Sequence, residues 1–326
     1  MKNRVLGSSN LSVSEIGLGC WQLGGDFGPI DESRATEIVE TALQQGITFF
    51  DTADVYGAGQ SESYLGKVLA QAPANIKIAT KYGRGPGSYP DGYSVTDLRD
   101  SLRRAQDRLQ RDCIDLIQLH CIPSEVMQHG EIFDWLREMQ QEGHVSHFGA
   151  SVETVADALV CAAHSDLASV QIIFNLFRQR PIKALFAKAQ ENNVGIIVRL
   201  PLASGLLSGK YSSTTTFAES DHRNYNRNGD AFNVGETFSG IEFSKGLALV
   251  EKLGVHKPND YTMAQFAQRW ILDQPAVSTI ITGASSAEQV VNNVSVSDLA
   301  SLDADVHDAL FKLYEDEIEQ HIRCDI

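Results

Sequence analysis

The stretch "GITFFDTADVYG", Gly46 to Gly57, runs a short apolar segment directly into a carboxylate and, five positions later, a tyrosine. Ile47, Phe49 and Phe50 read as a strand buried on both faces, because apolar residues crowd together instead of alternating. Just before it, "DESRATEIVETALQQ" opens on acidic residues and gathers Ala35, Ile38, Val39 and Leu43 on one helical face. Gly46 is the natural stop between the two. A helix feeding such a strand is one unit of an α/β fold.

The unit recurs. Apolar, β-branched runs lie at 16–20 ("IGLGC"), 47–51, 76–81 ("IKIATK"), 115–120 ("DLIQLH"), 145–150 ("VSHFGA"), 169–174 ("SVQIIF"), 195–200 ("GIIVRL") and 278–282 ("STIIT"). Segments of helical period separate them, among them 94–112, 125–143 and 180–195. Pro181 near the start of the last and Gly195 beyond its end fit the usual helix asymmetry. Strands alternating with helices indicate a parallel sheet. Their number, with no linker composition anywhere, favours a closed (β/α)8 TIM barrel forming a single domain over 1–326, not an open doubly wound sheet.

The segment from Leu200 to Ser278 is too long for one helix. It is expected to hold a long polar loop after the seventh strand, then extra helices near 240–253 and 261–273; loops of that length are usually functional. "NLSVSEIG" at 10–17 implies an N-terminal β-hairpin ahead of the first barrel strand. A terminal helix near 298–318 should lie against the barrel.

Composition narrows the function. The chain has a formal net charge of −15 and a pI of about 5.0, which disfavours nucleic acid as a partner. No run approaches the roughly 20 apolar residues of a membrane span, and "MKNRVLGSSNLSVSEIG" lacks a secretory apolar core. A cytoplasmic protein without membrane association is expected. The five cysteines are scattered, with no CxxC, so reduced thiols are expected instead of disulfides. His120–Cys121 has no second pair at ligand spacing, and no metal is expected. "RRAQDRLQR" at 103–111 reads as a solvated helix face, and Trp135 and Trp270 as packing residues.

In such a barrel the C-terminal strand ends share one face, where chemistry is carried out. Asp51 ends the second strand, Lys81 the third and His120 the fourth, with Tyr56 in the loop just above. A phenol of pKa about 10 is a reluctant acid near neutrality. A lysine ammonium close by should lower that value, and a carboxylate should hold the lysine. Histidine can orient a substrate oxygen. The set suits protonation of the alkoxide formed when hydride reaches a carbonyl, or the reverse.

These residues carry a resemblance. "VSEIGLGCWQLGG", "GITFFDTADVYGAGQSESYLGKVL", "IATKYG", "DLIQLH", "HFGAS", "PLASGLLSGKY" and "ITGASSAEQVVNN" together resemble the aldo-keto reductase superfamily over nearly the whole chain. The resemblance implies reversible reduction of an aldehyde or ketone by a nicotinamide dinucleotide. It implies a catalytic tetrad of Asp51, Tyr56, Lys81 and His120, with Tyr56 the general acid. Gly19, Cys20 and Trp21 would border the nicotinamide together with Asp51, and Ser151 and Gln171 would bind its carboxamide. Leu202, Ser204, Gly205, Leu207 and Lys210 would hold the pyrophosphate. Gly283, Ser285, Gln289, Asn292 and Asn293 would line the adenosine end. Trp21, Tyr56 and His120 would face a small carbonyl or alcohol substrate. No Rossmann motif competes, since "GLGCWQLGG" carries Gln22 where a third glycine is required.

Three departures from the family pattern stand out. Val152 replaces an asparagine that often binds the carboxamide. Arg199 stands where an aromatic ring often stacks on the nicotinamide; a guanidinium can stack too, or be paired at the barrel rim. Gly283, Ser285 and Gln289 occupy positions that often carry Lys or Arg for a 2′-phosphate. Arg223 or Arg227 from the long loop are candidates to supply that charge. NADP(H) is favoured as cofactor, with NAD(H) the alternative. Gln22, Asp26, His222, Arg223 and Asn224 hint at a sugar-like or hydroxylated substrate. A monomer or weak homo-oligomer is expected, and a dinucleotide-binding regulatory subunit with little turnover is the rival reading.

Overall fold

The computed structural model describes residues 1–326. Two short strands come first, β1 (Asn3–Val5) pairing antiparallel with β2 (Ser12–Ser14). The hairpin thus starts earlier than the expected 10–17. Ile16 already belongs to the barrel, where it pairs with Ile280. Leu6 and Val13 pack with Phe49, Ala79, Leu116 and Ile197 in one apolar cluster. Gly7, at φ +54, lies so close that a Cβ would sit 2.4 Å from the Gly195 nitrogen. The hairpin therefore plugs the N-terminal end of the strands and leaves the opposite mouth for chemistry.

The consecutive apolar runs form the barrel. Its strands are β3 (Ile16–Gly19), β4 (Phe49–Asp51), β5 (Lys77–Tyr82), β6 (Ile114–His120), β7 (Val145–Ser151), β8 (Ser169–Ile173), β9 (Gly195–Arg199) and β10 (Val277–Gly283). Each pairs in parallel with the next, and β10 closes on β3. Small residues set the spacing within the wall. A Cβ on Gly149 would lie 2.5 Å from Ser169 Oγ, so β7 and β8 approach only with glycine there.

The outer shell comprises α1 (Glu32–Gln44), α2 (Gln60–Leu69), α3 (Val95–Leu109), α4 (Ser124–His129), α5 (Glu131–Gln141), α6 (Val155–Ala162), α7 (Arg180–Ala184) and α8 (Phe186–Glu191). It continues with α9 (His222–Tyr225), α10 (Phe243–Gly254), α11 (Met263–Leu272), α12 (Ala287–Val294) and α13 (Ala304–Leu313). The helical pattern at 125–143 is broken at Gly130, whose φ of 82° ends α4 before α5 restarts. The pattern at 180–195 likewise divides, at the fully buried Leu185. The terminal helix is shorter than the expected 298–318. It begins after Asp303 and loosens at Tyr314–Ile318 into one wide turn. The long loop after β9 is built of short turns and α9, and α10 and α11 follow within a few residues of their expected places. No helix is long and apolar enough to cross a membrane.

Gly66 is the tightest helix contact. A Cβ there would stand 2.0 Å from the Arg108 carbonyl oxygen of α3. Gly66→Ala gains about 1 kcal/mol of helix propensity, but the clash is with backbone, which cannot rotate away. Overpacking wins, and urea unfolding is expected to show a net loss of about 1–3 kcal/mol. A stabilised variant would mean that α2 and α3 separate freely.

Candidate active site

Asp51 is the last residue of β4, Lys81 the penultimate residue of β5 and His120 the last of β6. Adjacent parallel strands bring the three to one mouth, and the turn after β4 folds Tyr56 back over them. Lys81 Nζ lies 2.5 Å from Asp51 Oδ1, 2.8 Å from the Thr52 carbonyl oxygen and 3.2 Å from Tyr56 Oη. An ammonium has three protons and no acceptor, so all three are engaged. Tyr56 Oη therefore accepts from Lys81, and its own proton is left for the cavity.

Asp51 is fixed just as fully. Its Oδ2 accepts from Gln118 Nε2 at 2.9 Å and from Gln171 Nε2 at 2.8 Å. Gln171 also accepts from Ser151 Oγ at 3.2 Å. The two residues assigned to the carboxamide thus bind each other, and Gln171 binds the Asp51 carboxylate as well. Gln118 has no motif to announce it. The available signal was the two-residue repeat of a strand, which puts Gln118 on the same face as His120.

The electrostatics overturn one expectation. The Tyr56 phenol is not lowered but pushed up to about 12: burial outweighs the downward pull of Lys81. Burial alone would lower Lys81, yet Asp51 and Tyr56 outweigh it and hold the ammonium above its usual range. For His120, burial and then the charges of Arg84, Lys81 and Arg199 keep the imidazole well below its ordinary value. His120 is neutral at pH 7, and its Nδ1 is buried without a partner.

A cavity of about 870 Å³ runs across the mouth from these groups. Trp21 stacks beside Tyr56 with ring centroids 6.0 Å apart, and Gly19 and Cys20 complete that wall. Further along, Leu202, Ser204, Gly205 and Lys210 line the floor, and Gly283, Ser285, Gln289, Asn292 and Asn293 the far end. Leu207 is the exception: it is fully buried in the apolar core, so its side chain stays out of the cavity. Ala203, Ser204 and Gly205 all have positive φ, a strained turn in which the Ala203 and Gly205 amides donate to the Leu200 and Leu202 carbonyl oxygens. A cavity of this volume, lined by His120 as well as by Ser285 and Gln289, has room for a nicotinamide dinucleotide.

Arg199 lines the cavity and is paired there. Its Nη2 donates to the Val152 carbonyl oxygen at 3.1 Å, and Nη1 lies 3.7 Å from Glu236 Oε1. The backbone of the departing residue Val152 thus anchors the departing residue Arg199. Arg84 completes a network that no motif foretold, meeting Glu153 at 2.7 Å and Glu236 at 3.0 Å. Burial acts against the Glu236 charge, but Arg84 and Arg199 outweigh it and hold its carboxyl low. Glu153 is raised, by burial first and then by Glu236. The Cys121 thiol stands near both carboxylates, each of which gives one oxygen to Arg84.

The long loop roofs this end. His222 packs on Trp21 and Phe27 with ring centroids 4.8 and 4.4 Å apart. Arg223 is committed to Asp221 and Tyr211 within the same loop, and Arg227 lies over Phe217 and Phe243. The Arg223 charge is thus already paired, whereas Arg227 donates only from Nε, to the Arg223 carbonyl oxygen. Burial lowers the His222 pKa from 6.5 to about 4. Between those values the unfolded chain binds the proton and the folded chain does not. The contribution of His222 to stability is therefore complete above pH 6.5 and falls by about 3 kcal/mol as pH drops to 4. His222→Asn is expected to flatten this part of the curve in denaturant melts at pH 4–7, with slope of the same sign left from His120, His147 and His164, which burial also lowers. An unchanged curve would remove His222 as its cause.

Comparison with known proteins agrees with the geometry. YqkF of Bacillus subtilis, an uncharacterized oxidoreductase, is 29% identical over 308 residues, spanning 93% of each chain. The NADP(+) aldo-keto reductase yakc of Schizosaccharomyces pombe is 28% identical across 91% of this chain and 87% of its own. Among solved structures, the holo form of aldo-keto reductase AKR11C1 from Bacillus halodurans matches with a TM-score of 0.79 and 28% identity, covering 99% of this chain and all of that one. Residues 15–315 match the model of the Aldo/keto reductase family. With the closed barrel and the Asp51–Lys81–Tyr56 arrangement at its mouth, that match over most of the chain settles its family: it is a member of the aldo/keto reductases, a family of oxidoreductases.

Proposed function

We propose that the chain, acting as one barrel domain, reversibly reduces an aldehyde or ketone to an alcohol, with Tyr56 as proton donor. The observation that carries this reading is the saturation of Lys81, which forces the phenolic proton into the cavity. A bound nicotinamide dinucleotide would supply the hydride. As the carbonyl carbon accepts it, the carbonyl oxygen becomes basic and takes the Tyr56 proton. Lys81 then faces the phenolate it is already placed to stabilise, until solvent restores the proton. Neutral His120 hydrogen-bonds the same oxygen and orients it. NADP(H) is the favoured coenzyme, supported by the name of the yakc relative; NAD(H) is the alternative.

The substrate end favours a hydroxylated, uncharged compound. Arg84 and Arg199 balance Glu153 and Glu236, so a substrate charge of either sign would break a pair already made. Trp21 offers a flat apolar face, and Asn233 and Glu236 line the wall with groups that hydroxyls can meet.

Nicotinamide absorbance followed with a panel of aldehydes tests the reading. Tyr56→Phe is expected to lower kcat by about 10²–10⁴-fold while leaving NADPH affinity nearly unchanged. Equal rates would take Tyr56 out of the mechanism. Coenzyme binding with no oxidation across the panel would instead favour a regulatory, dinucleotide-binding subunit.

A further inference from the structure

The segment at the far end of the cavity, Gly283 to Gln289, contains neither lysine nor arginine. A cation nonetheless reaches it from elsewhere in the chain. Arg34, in the first turn of α1, donates from Nε to the Ser285 carbonyl oxygen at 2.9 Å. α1 and α12 pack side by side, and this contact fastens the arginine to the segment that links β10 to α12. Ser285, within that link, and Gln289, in the first turn of α12, line the cavity, the Gln289 Oε1 accepting from the Ser285 backbone nitrogen at 2.8 Å.

The charge on Arg34 is free to act. Its Nη groups make no hydrogen bond or ion pair within the protein, Nε alone being engaged. The acidic residues beside it in the chain are otherwise occupied. Asp31 accepts from the Arg34 backbone nitrogen at 2.8 Å, capping α1, and Glu32 pairs with Lys67 at 2.7 Å. Among the other cations lining the cavity, Arg223 is paired with Asp221, Arg84 with Glu153 and Glu236, and Arg199 with Glu236, while the Lys210 side chain is unpaired but belongs to the turn after β9, not to the Ser285 segment. A phosphate monoester calls for a guanidinium fork, and a single bond at Nε leaves the outer edge of this one open.

We propose that Arg34, with the Ser285 and Gln289 side chains, forms the binding site for the 2′-phosphate of NADP(H). The proposal rests on reading the cavity as a dinucleotide site, with its adenosine end at Ser285. It makes the first helix, and not the segment after β10, the determinant of coenzyme choice. The site is exposed, so its contribution is modest and sensitive to salt.

The test is direct binding of NADPH and of NADH to the purified full chain, followed by tryptophan fluorescence, for the parent, Arg34→Gln and Arg34→Lys. The parent is expected to bind NADPH more tightly than NADH. Arg34→Gln should raise the NADPH Kd by about tenfold and leave the NADH Kd within about twofold, which also shows that the variant is folded. Arg34→Lys, keeping the charge without the fork, should fall between the two. Added salt should weaken NADPH more than NADH in the parent and equally in Arg34→Gln. Equal losses for both coenzymes, no loss for either, or a parent that favours NADH would each overturn the proposal. A parent that binds neither coenzyme would overturn the dinucleotide reading itself, and the Arg34 site with it.

Discussion

The buried pairing of Lys81 with Asp51 is the interaction on which the rest of the site depends. Both groups are almost wholly shielded from solvent, and removing two charges from water costs several kcal/mol per ion before attraction repays it. Repayment requires every remaining donor and acceptor to be met. The Thr52 carbonyl and Tyr56 take the other ammonium protons, while Gln118 and Gln171 serve the second carboxylate oxygen. Residues of β4, β5, β6 and β8 thus converge on a single carboxylate. Apolar replacements of similar volume would serve the fold as well or better. What the pair accomplishes is the orientation of one phenol.

A second charged group, farther out, governs the roof. Glu236 belongs to the long loop, whereas Arg84 and Arg199 belong to the barrel. Ser204, within the strained turn after β9, donates to the Glu236 carbonyl oxygen at 3.1 Å. The loop is therefore fastened to the barrel at the same place where the cavity floor is shaped. The aromatic contacts of His222 with Trp21 and Phe27 add a second, uncharged fastening. One loop consequently joins the Trp21 wall of the cavity to the floor formed after β9.

The barrel and its four mouth residues were legible because both depend on local pattern. A strand buried on both faces must be apolar throughout, so Asp51, Lys81 and His120 are conspicuous where such runs end. Helix interruptions were less so: Gly130 lies within an otherwise regular helical pattern, and only its backbone conformation marks the break. Arg84, Glu153 and Glu236 escaped notice because each belongs to a different loop, and separation in sequence hides their meeting. Arg34 escaped for the same reason, being about 250 residues from the carbonyl it binds. The direction of the Tyr56 shift was misjudged because a nearby ammonium can be inferred from sequence, whereas the extent of burial cannot.

That shift bears on the direction of reaction. A phenol pushed up to about 12 keeps its proton throughout the neutral range, so the resting site stands ready to give a proton and not to receive one. Reduction needs the protonated form, and oxidation of an alcohol needs the phenolate. On the proposed mechanism, neutral pH therefore favours reduction, and oxidation gains as pH rises toward the tyrosine pKa. Lys81 does not make Tyr56 a strong acid at rest. Its charge counts most once hydride transfer has created an alkoxide, because in a shielded site the phenolate left behind has no better partner than the ammonium beside it. The same burial that opposes ionisation in the empty cavity strengthens that attraction at the moment of transfer.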